Sequence, residues 1–282
     1  VRAAPLVLDR ATHSPFARGW LAPSALRTFI ARMRSDPTAE FRTEGAAAGF
    51  RVPPFVFIRA FKKLTGLSPQ RFRAALRIEL AKRLLVETDR PVTEISFDAG
   101  YNSLGTFVRT FTALVGVSPG QMRRLARGGD PVEILGAWLD LPRPPPDLPA
   151  LHATIQSPLP PGALVAAGLF SQGLPAGLPF DGCFVDPAAP EFRLAWPPGR
   201  HRVSLLTAAI TAFSLPDAWA GRLSGAEVCS HSLAAPRAAP DAAPLRLRLR
   251  PLTDTDPPFL TPIPLLIFLQ SRRSGQDRPP LG

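Results

Sequence analysis

The segment FIRAFKKLTGLSPQRFR at 57–73 returns 50 residues later as FVRTFTALVGVSPGQMR at 107–123. Phe57, Arg59, Phe61, Leu64, Gly66, Ser68 and Pro69 match Phe107, Arg109, Phe111, Leu114, Gly116, Ser118 and Pro119. Each copy is an apolar helical spacing, a glycine stop and a Ser-Pro restart. Glycine takes positive φ cheaply, and proline at a first helical position loses no needed amide. A generic bundle has no reason to repeat both the spacing and the exit turn. The chain is thereby constrained to two equivalent helical units joined by the helix between them.

The stretch before the second copy shows what each unit is. In PVTEISFDAGYNSLGTFVRTFTALVGVSP (91–119), Val92, Ile95 and Ala99 form a short apolar face. Gly100 stops that helix. Asn102 and Ser103 are both N-cap types, whose oxygens accept free first-turn amides. Leu104, Phe107, Val108 and Phe111 then mark a second apolar face, leaving Thr106, Arg109 and Thr110 toward solvent. This spacing predicts a helix-turn-helix. In the first unit, Ala-rich 40–50 reads as a helix and Val52-Pro53-Pro54 as the turn. Pro54 opens a helix with Phe55, Ile58, Phe61 and Leu64 inward and Arg59, Lys62 and Lys63 outward. A helix at Ala22–Arg34 precedes it, with Leu26, Phe29, Ile30 and Met33 inward. The longest helix is 69–87, with Phe72, Leu76, Ala81, Leu84 and Leu85 along one side and a Glu79–Arg83 pair at i,i+4. A short helix from Pro119 to about Ala126 ends the series. One such hairpin also fits an ordinary packed core; two copies on one rigid connector favour a pair of reading heads.

Charge divides the chain at the same place. Residues 1–130 hold 21 Lys/Arg against 10 Asp/Glu, and residues 131–282 hold 12 against 12. All the excess of +11 sits with the repeat, which points that half toward a polyanion. Of the 35 prolines, 9 precede residue 131. The first residues, VRAAPLVLDRATHSPFARG, make a poor signal peptide. The late apolar run PFLTPIPLLIFLQ holds three prolines and is too short to span a bilayer. A cytoplasmic protein that does not enter the membrane is expected.

Residues 22–127, and above all RIELAKRLLVETDRPVTEISFDAGYNSLGTFVRTFTALVGVSP (77–119), resemble the DNA-binding domain of AraC/XylS-type bacterial transcription regulators. The resemblance implies an all-α seven-helix domain with two helix-turn-helix units, whose second helices enter successive major grooves of double-stranded DNA. It implies base readers near Phe55, Val56 and Arg59 in the first unit and Asn102, Ser103, Thr106 and Arg109 in the second. Lys62 and Lys63 are suited to phosphates. The sequence departs from the family twice. Arg51 stands at the first bend, where glycine is usual, beside an apolar Phe55-Val56-Phe57 run. The domain also comes first here, with its companion after it.

After residue 130 the period changes from helix to strand. Expected strands are 151–156, 163–170, 180–185, 191–195, 201–210 and 245–250, giving an all-β antiparallel sandwich of about seven strands. The last, LRLRLR, alternates, with Leu245, Leu247 and Leu249 inward. The segment EFRLAWPPGRHRVSLLTAAI (191–210) reads as strand, Pro-Pro-Gly turn, strand. It resembles the hairpin of carboxypeptidase regulatory-like (transthyretin-like) sandwiches. The expected organisation is multi-domain α + β: an extension (1–21), the DNA-binding domain (22–130), a Pro-rich linker (131–150), a sandwich for an effector, a partner or dimerisation (151–269) and a tail (270–282). The apolar stretch 258–269 would cover a sheet edge or form an interface.

Little in the second half suggests chemistry. His152, His201 and His231 lack ligand-spaced partners, and Cys183 and Cys229 lack metal or redox spacing. No metal, cofactor or catalytic residue is expected. The reading is a sequence-specific DNA-binding regulator that is not an enzyme, binding as a monomer or homodimer. Two others stay open: a DNA-targeted enzyme such as a cysteine-dependent alkyl-transfer repair protein, for which His231 lies two residues from Cys229, and a non-catalytic partner-binding module.

Overall fold

The structure is a computed structural model and describes residues 21–130, 148–159, 163–171, 174, 176–211, 215–221, 226–234 and 244–262. Its first half is helical: α1 (Pro23–Ser35), α2 (Thr43–Gly49), α3 (Pro54–Thr65), α4 (Pro69–Glu87), α5 (Val92–Asp98), α6 (Leu104–Val115) and α7 (Pro119–Ala126). Proline opens α1, α3, α4 and α7. Gly66 and Gly116 end α3 and α6 at φ 77° and 96°, where a side chain would be strained. The sequence repeat is thus a repeat of helix, stop and restart.

Phenylalanines fill the centre. Phe57, Phe61, Phe72, Phe107 and Phe111 are fully buried. Phe61 meets Phe72 edge-on at 5.5 Å, and Phe57 stacks on Phe50 at 5.5 Å. This corrects the inward face expected for α3. Phe57, Ala60 and Phe61 point in, while Phe55 is 62% exposed and Ile58 half-buried. Both spacings are helical; the rings of Phe29, Phe50 and Phe72 select the one that the second copy also uses. Leu104, expected inside, is 38% exposed for a related reason: it opens α6, one turn short of the packed Phe107. Glu79 pairs with Arg34 of α1, at 3.8 Å, in place of the expected Arg83.

The second half holds β1 (Ala150–Ile155), β2 (Leu164–Phe170), β3 (Asp181–Val185), β4 (Glu191–Ala195), β5 (Arg202–Ile210), α8 (Leu215–Ala220), β6 (Glu227–Ala234), β7 (Leu245–Leu247) and β8 (Arg250–Pro251). They form a three-stranded sheet, β4-β1-β7, and a five-stranded sheet, β3-β2-β5-β6-β8. Ile155, Leu194 and Leu247 of the first meet Val165, Leu169 and Leu205 of the second in one core. Of the expected linker, 131–147 lies outside the described residues.

Three expectations for this half are corrected. Strands 191–195 and 202–210 do not pair as a hairpin: β4 pairs with β1 and β5 with β2 and β6, so the Pro-Pro-Gly turn crosses between sheets. Trp196 anchors that crossing, its indole donating to the Arg200 carbonyl at 2.7 Å. LRLRLR keeps its alternation, but breaks as a strand. The Ser157 hydroxyl takes the Leu249 amide at 2.7 Å, and Arg250–Pro251 leaves for the other sheet. Pairing is antiparallel except between β1 and β7, which run parallel. Helix α8 and strand β6 had no expected counterpart.

Packing crosses the division between the halves. Leu174, Trp219 and Leu260 belong to the same buried cluster as the α1–α7 phenylalanines. Ala218 of α8 packs instead with Ala208 and Val228 of the five-stranded sheet, so α8 is wedged between that sheet and α4. The Gly177 amide donates to the Leu114 carbonyl at 2.6 Å, capping the end of α6. Arg34 donates to the carbonyl of Asp254 at 2.6 Å and to that of Asp256. The stretch from 258, described as far as 262, seats Leu260 in the helical core and Phe259 against the sheet.

Candidate nucleic-acid interface

The two units present matching outer faces. On α3, Phe55, Arg59, Lys62 and Lys63 are exposed and Val56 half-buried. On α6 and the turn before it, Asn102, Ser103, Thr106 and Arg109 are exposed. Arg59 and Arg109 occupy corresponding places, and neither has a hydrogen-bond or ion-pair partner among the described residues. This exposure is present with the described sheet half docked, which packs on the far end of α6 and one side of α4 and faces the end of α3 across a cavity. The residues expected to read bases therefore sit on two open faces. Ser103 has a second duty: its hydroxyl oxygen accepts the Thr106 amide at 3.3 Å as the α6 N-cap. Its hydrogen stays available to an acceptor.

Each bend is held by a different device. Gly100 turns the second unit at φ 77°, and Arg51 turns the first at φ 53°, the lone non-glycine with positive φ among the described residues. Arg51 thus adopts the bend itself. The left-handed conformation costs a residue with a Cβ roughly 1–2 kcal/mol. Arg77 of α4 lies over the Tyr101 ring at 5.9 Å and donates to the Pro37 carbonyl at 3.3 Å, tying the second turn to the loop after α1. Arg90 pairs with Glu94 at 3.3 Å and with Asp98, bracing α5. These bonds keep Arg90 charged, its pKa raised first by Asp98 and then by Glu94.

The charge count of this half overstates what a polyanion meets. Arg34, Arg73, Arg77, Lys82, Arg90 and Arg127 all donate within the chain. Burial lowers the pKa of Arg73, and neighbouring Arg77 adds to it. Lys82 is fully buried, a placement its amphipathic-looking helix did not signal. Arg59, Lys62 and Arg109 remain as exposed cations of α3 and α6 without a partner among the described residues.

In the sheet half, burial and then Asp181 push the Cys183 thiol up to about 12, so it stays protonated at neutral pH and is a poor nucleophile. The side chains of Cys229 and His231 lie outside the described residues. His152 and His201 are exposed. Among the described residues no three His, Cys, Asp or Glu side chains gather as metal ligands would, and no helix is long and apolar enough to cross a membrane.

Residues 46–125 match a family described as a helix-turn-helix domain. The uncharacterized helix-turn-helix-type transcriptional regulator YobQ of Bacillus subtilis is 42% identical over 66 residues, 23% of this chain and 27% of that protein. A putative AraC-like transcription regulator of Streptomyces lividans is 30% identical over 122 residues, 42% of this chain and 40% of that protein. The chain therefore spans less than half the length of these relatives. Among solved structures, the DNA-binding domain of the global transcriptional factor AdpA in complex with a target DNA is 28% identical, with a TM-score of 0.35, covering 36% of this chain and 93% of that one.

Proposed function

We propose, from a helical half that is an AraC-type helix-turn-helix domain, that the chain is a sequence-specific DNA-binding transcriptional regulator. The observation that carries the reading is the pair Arg59 and Arg109. They are exposed, without a partner among the described residues, at matching places of two duplicated helices. An arginine in this position can bind guanine O6 and N7 with both arms of its guanidinium. Asn102, Thr106 and the free hydrogen of Ser103 extend the donor and acceptor set on α6. Lys62 and Lys63 suit phosphate contacts, which position without specifying. On α3, Phe55 and Val56 suit the thymine methyl.

The sheet half, neutral overall, is read as the modulating or dimerising part, and a cytoplasmic place goes with this function. The raised pKa of the Cys183 thiol makes that residue a poor nucleophile for the cysteine-dependent alternative. A gel-shift assay on the full chain with a duplex selected from random sequence tests the proposal. Expected is a shift whose affinity falls steeply with salt, since each neutralised phosphate releases about 0.9 counterion. A full chain that selects no sequence over random duplex would overturn it.

A further inference from the structure

A cavity of about 650 Å3 lies between the helical half and the five-stranded sheet. One wall is the end of α3, the turn 65–68 and the start of α4; the other is Ser171, the start of β5 and the stretch around Arg250 and Asp256. Lys62, Arg71, Arg202 and Arg250 line it against a single carboxylate, Asp256. That carboxylate is already engaged: its two oxygens accept from the Arg250 guanidinium at 2.7 and 2.5 Å. Three cations remain, from α3, α4 and β5, and none has a partner among the described residues. Ser204 lines the same space at 7% exposure, and its hydroxyl is also unpartnered among the described residues. That hydroxyl can donate to a ligand oxygen there.

The repeat supplies an internal control. Ser118 starts α7 with a capping box, closed by Gln121. At the corresponding place in the first unit Ser68 makes no side-chain cap, and Arg71 stands where Gln121 stands in the second. The start of α4 therefore keeps its first-turn amides uncapped by a side chain and adds a cation, both on the cavity wall. Uncapped amides at a helix start favour negative charge.

We propose that this cavity binds a small organic polyanion, a phosphorylated or polycarboxylated metabolite. Lys62, Arg71 and Arg202 neutralise it, and Ser204 and the start of α4 donate to it. Three uncompensated cations call for a ligand with at least two negative charges. Arg202 and Ser204 lie on the sheet wall, so the site differs from a phosphate contact made by α3 with DNA. Because the ligand would tie the α3–α4 turn to the sheet, it would also set how firmly the first reading helix is held. That consequence rests on the regulator reading; the binding does not.

Isothermal titration of the full chain with inorganic pyrophosphate and with citrate tests the site, with sodium chloride of matched ionic strength as the blank. Expected is one-to-one binding of at least one probe, weakened roughly tenfold or more by Arg71→Ala and by Arg202→Ala, as loss of a charge-assisted hydrogen bond implies. Arg246→Ala, on an exposed side chain outside the cavity, should leave it unchanged. Pyrophosphate alone assigns a phosphorylated ligand and citrate alone a polycarboxylate. No heat beyond the blank overturns the proposal, as does binding indifferent to Arg202→Ala or weakened equally by Arg246→Ala. A gel shift on the same protein separates the two readings. Probe binding without DNA binding removes the regulator and keeps the site; DNA binding without probe binding does the reverse.

Discussion

The Lys82 ammonium, on the helix joining the two helix-turn-helix units, donates to the Phe259 carbonyl at 2.9 Å across the seam between the halves. The lysine is fully buried there, and a Cβ at Gly221, where φ is 81°, would come within 2.8 Å of its nitrogen. Close backbone approach at that glycine and the carbonyl of Phe259 together form the lysine's pocket.

A pH dependence follows from that burial. Desolvation lowers the Lys82 pKa from its ordinary 10.5 to about 7, with Glu79 opposing the shift. Between those values the unfolded chain binds more protons than the folded one, so this group makes stability rise with pH across that window and fall again toward 7. Urea unfolding at fixed ionic strength should show a gain from about pH 7 to 9 that Lys82→Met removes. An unchanged slope in the variant would show that Lys82 keeps its proton in the fold.

Truncation tests the shared core. A chain ending at residue 130 lacks Leu174, Trp219 and Leu260, which are 4%, 6% and 0% exposed in the helical cluster. Each buried side chain of this kind contributes roughly 1.5–3 kcal/mol. The fragment should melt at least about 5 °C below the helical part of the full chain. Equal melting would mean that the helical half gains nothing from its companion.

The two bends predict opposite responses to one kind of change. Arg51→Gly relieves the cost of φ 53° and should raise stability by roughly 1 kcal/mol. Gly100→Ala imposes that cost at φ 77° and forces the Arg77 guanidinium, 2.7 Å from the new Cβ, to move. It should lower stability by roughly 1–2 kcal/mol. Denaturant midpoints with unchanged slopes would record both shifts, and a destabilised Arg51→Gly would mean that the arginine side chain's own contacts outweigh the strain.

The reading heads should be unequal. The α6 face is polar and short, whereas α3 leads with Phe55, 62% exposed, and Val56. Arg109→Ala should cost roughly 1–3 kcal/mol of discrimination on a selected duplex and much less on random DNA. A base-by-base scan should then give one deep and one shallow cluster about 10 base pairs apart, near one helical turn. Two clusters of equal depth would show α3 reading bases as fully as α6.

The sequence alone determined the helical half closely, because its signals are local. Glycine stops at 66, 100 and 116, proline starts and a 50-residue echo each act within a few residues of themselves. Helices 69–87 and 119–126 consequently appear where the spacing puts them. What needed the tertiary structure were choices between locally equal alternatives. Phe55 and Phe57 both fit a helical face, and only the rings of Phe29, Phe50 and Phe72 decide which is buried. Lys82 looks like any helix-surface lysine until Phe259, 177 residues away, supplies its acceptor. In the sheet half the strands are legible but their partners are not, since a period of two names a strand's faces and says nothing about its neighbours. Hence 191–195 and 202–210 read as one hairpin and lie in different sheets. The cavity between the halves was hidden for the same reason: Lys62, Arg71 and Arg202 become one site only when the sheet docks on α3 and α4. The local signal that bore on it was Arg71 in the place of Gln121, visible in the repeat but without meaning until the fold gave it a facing wall.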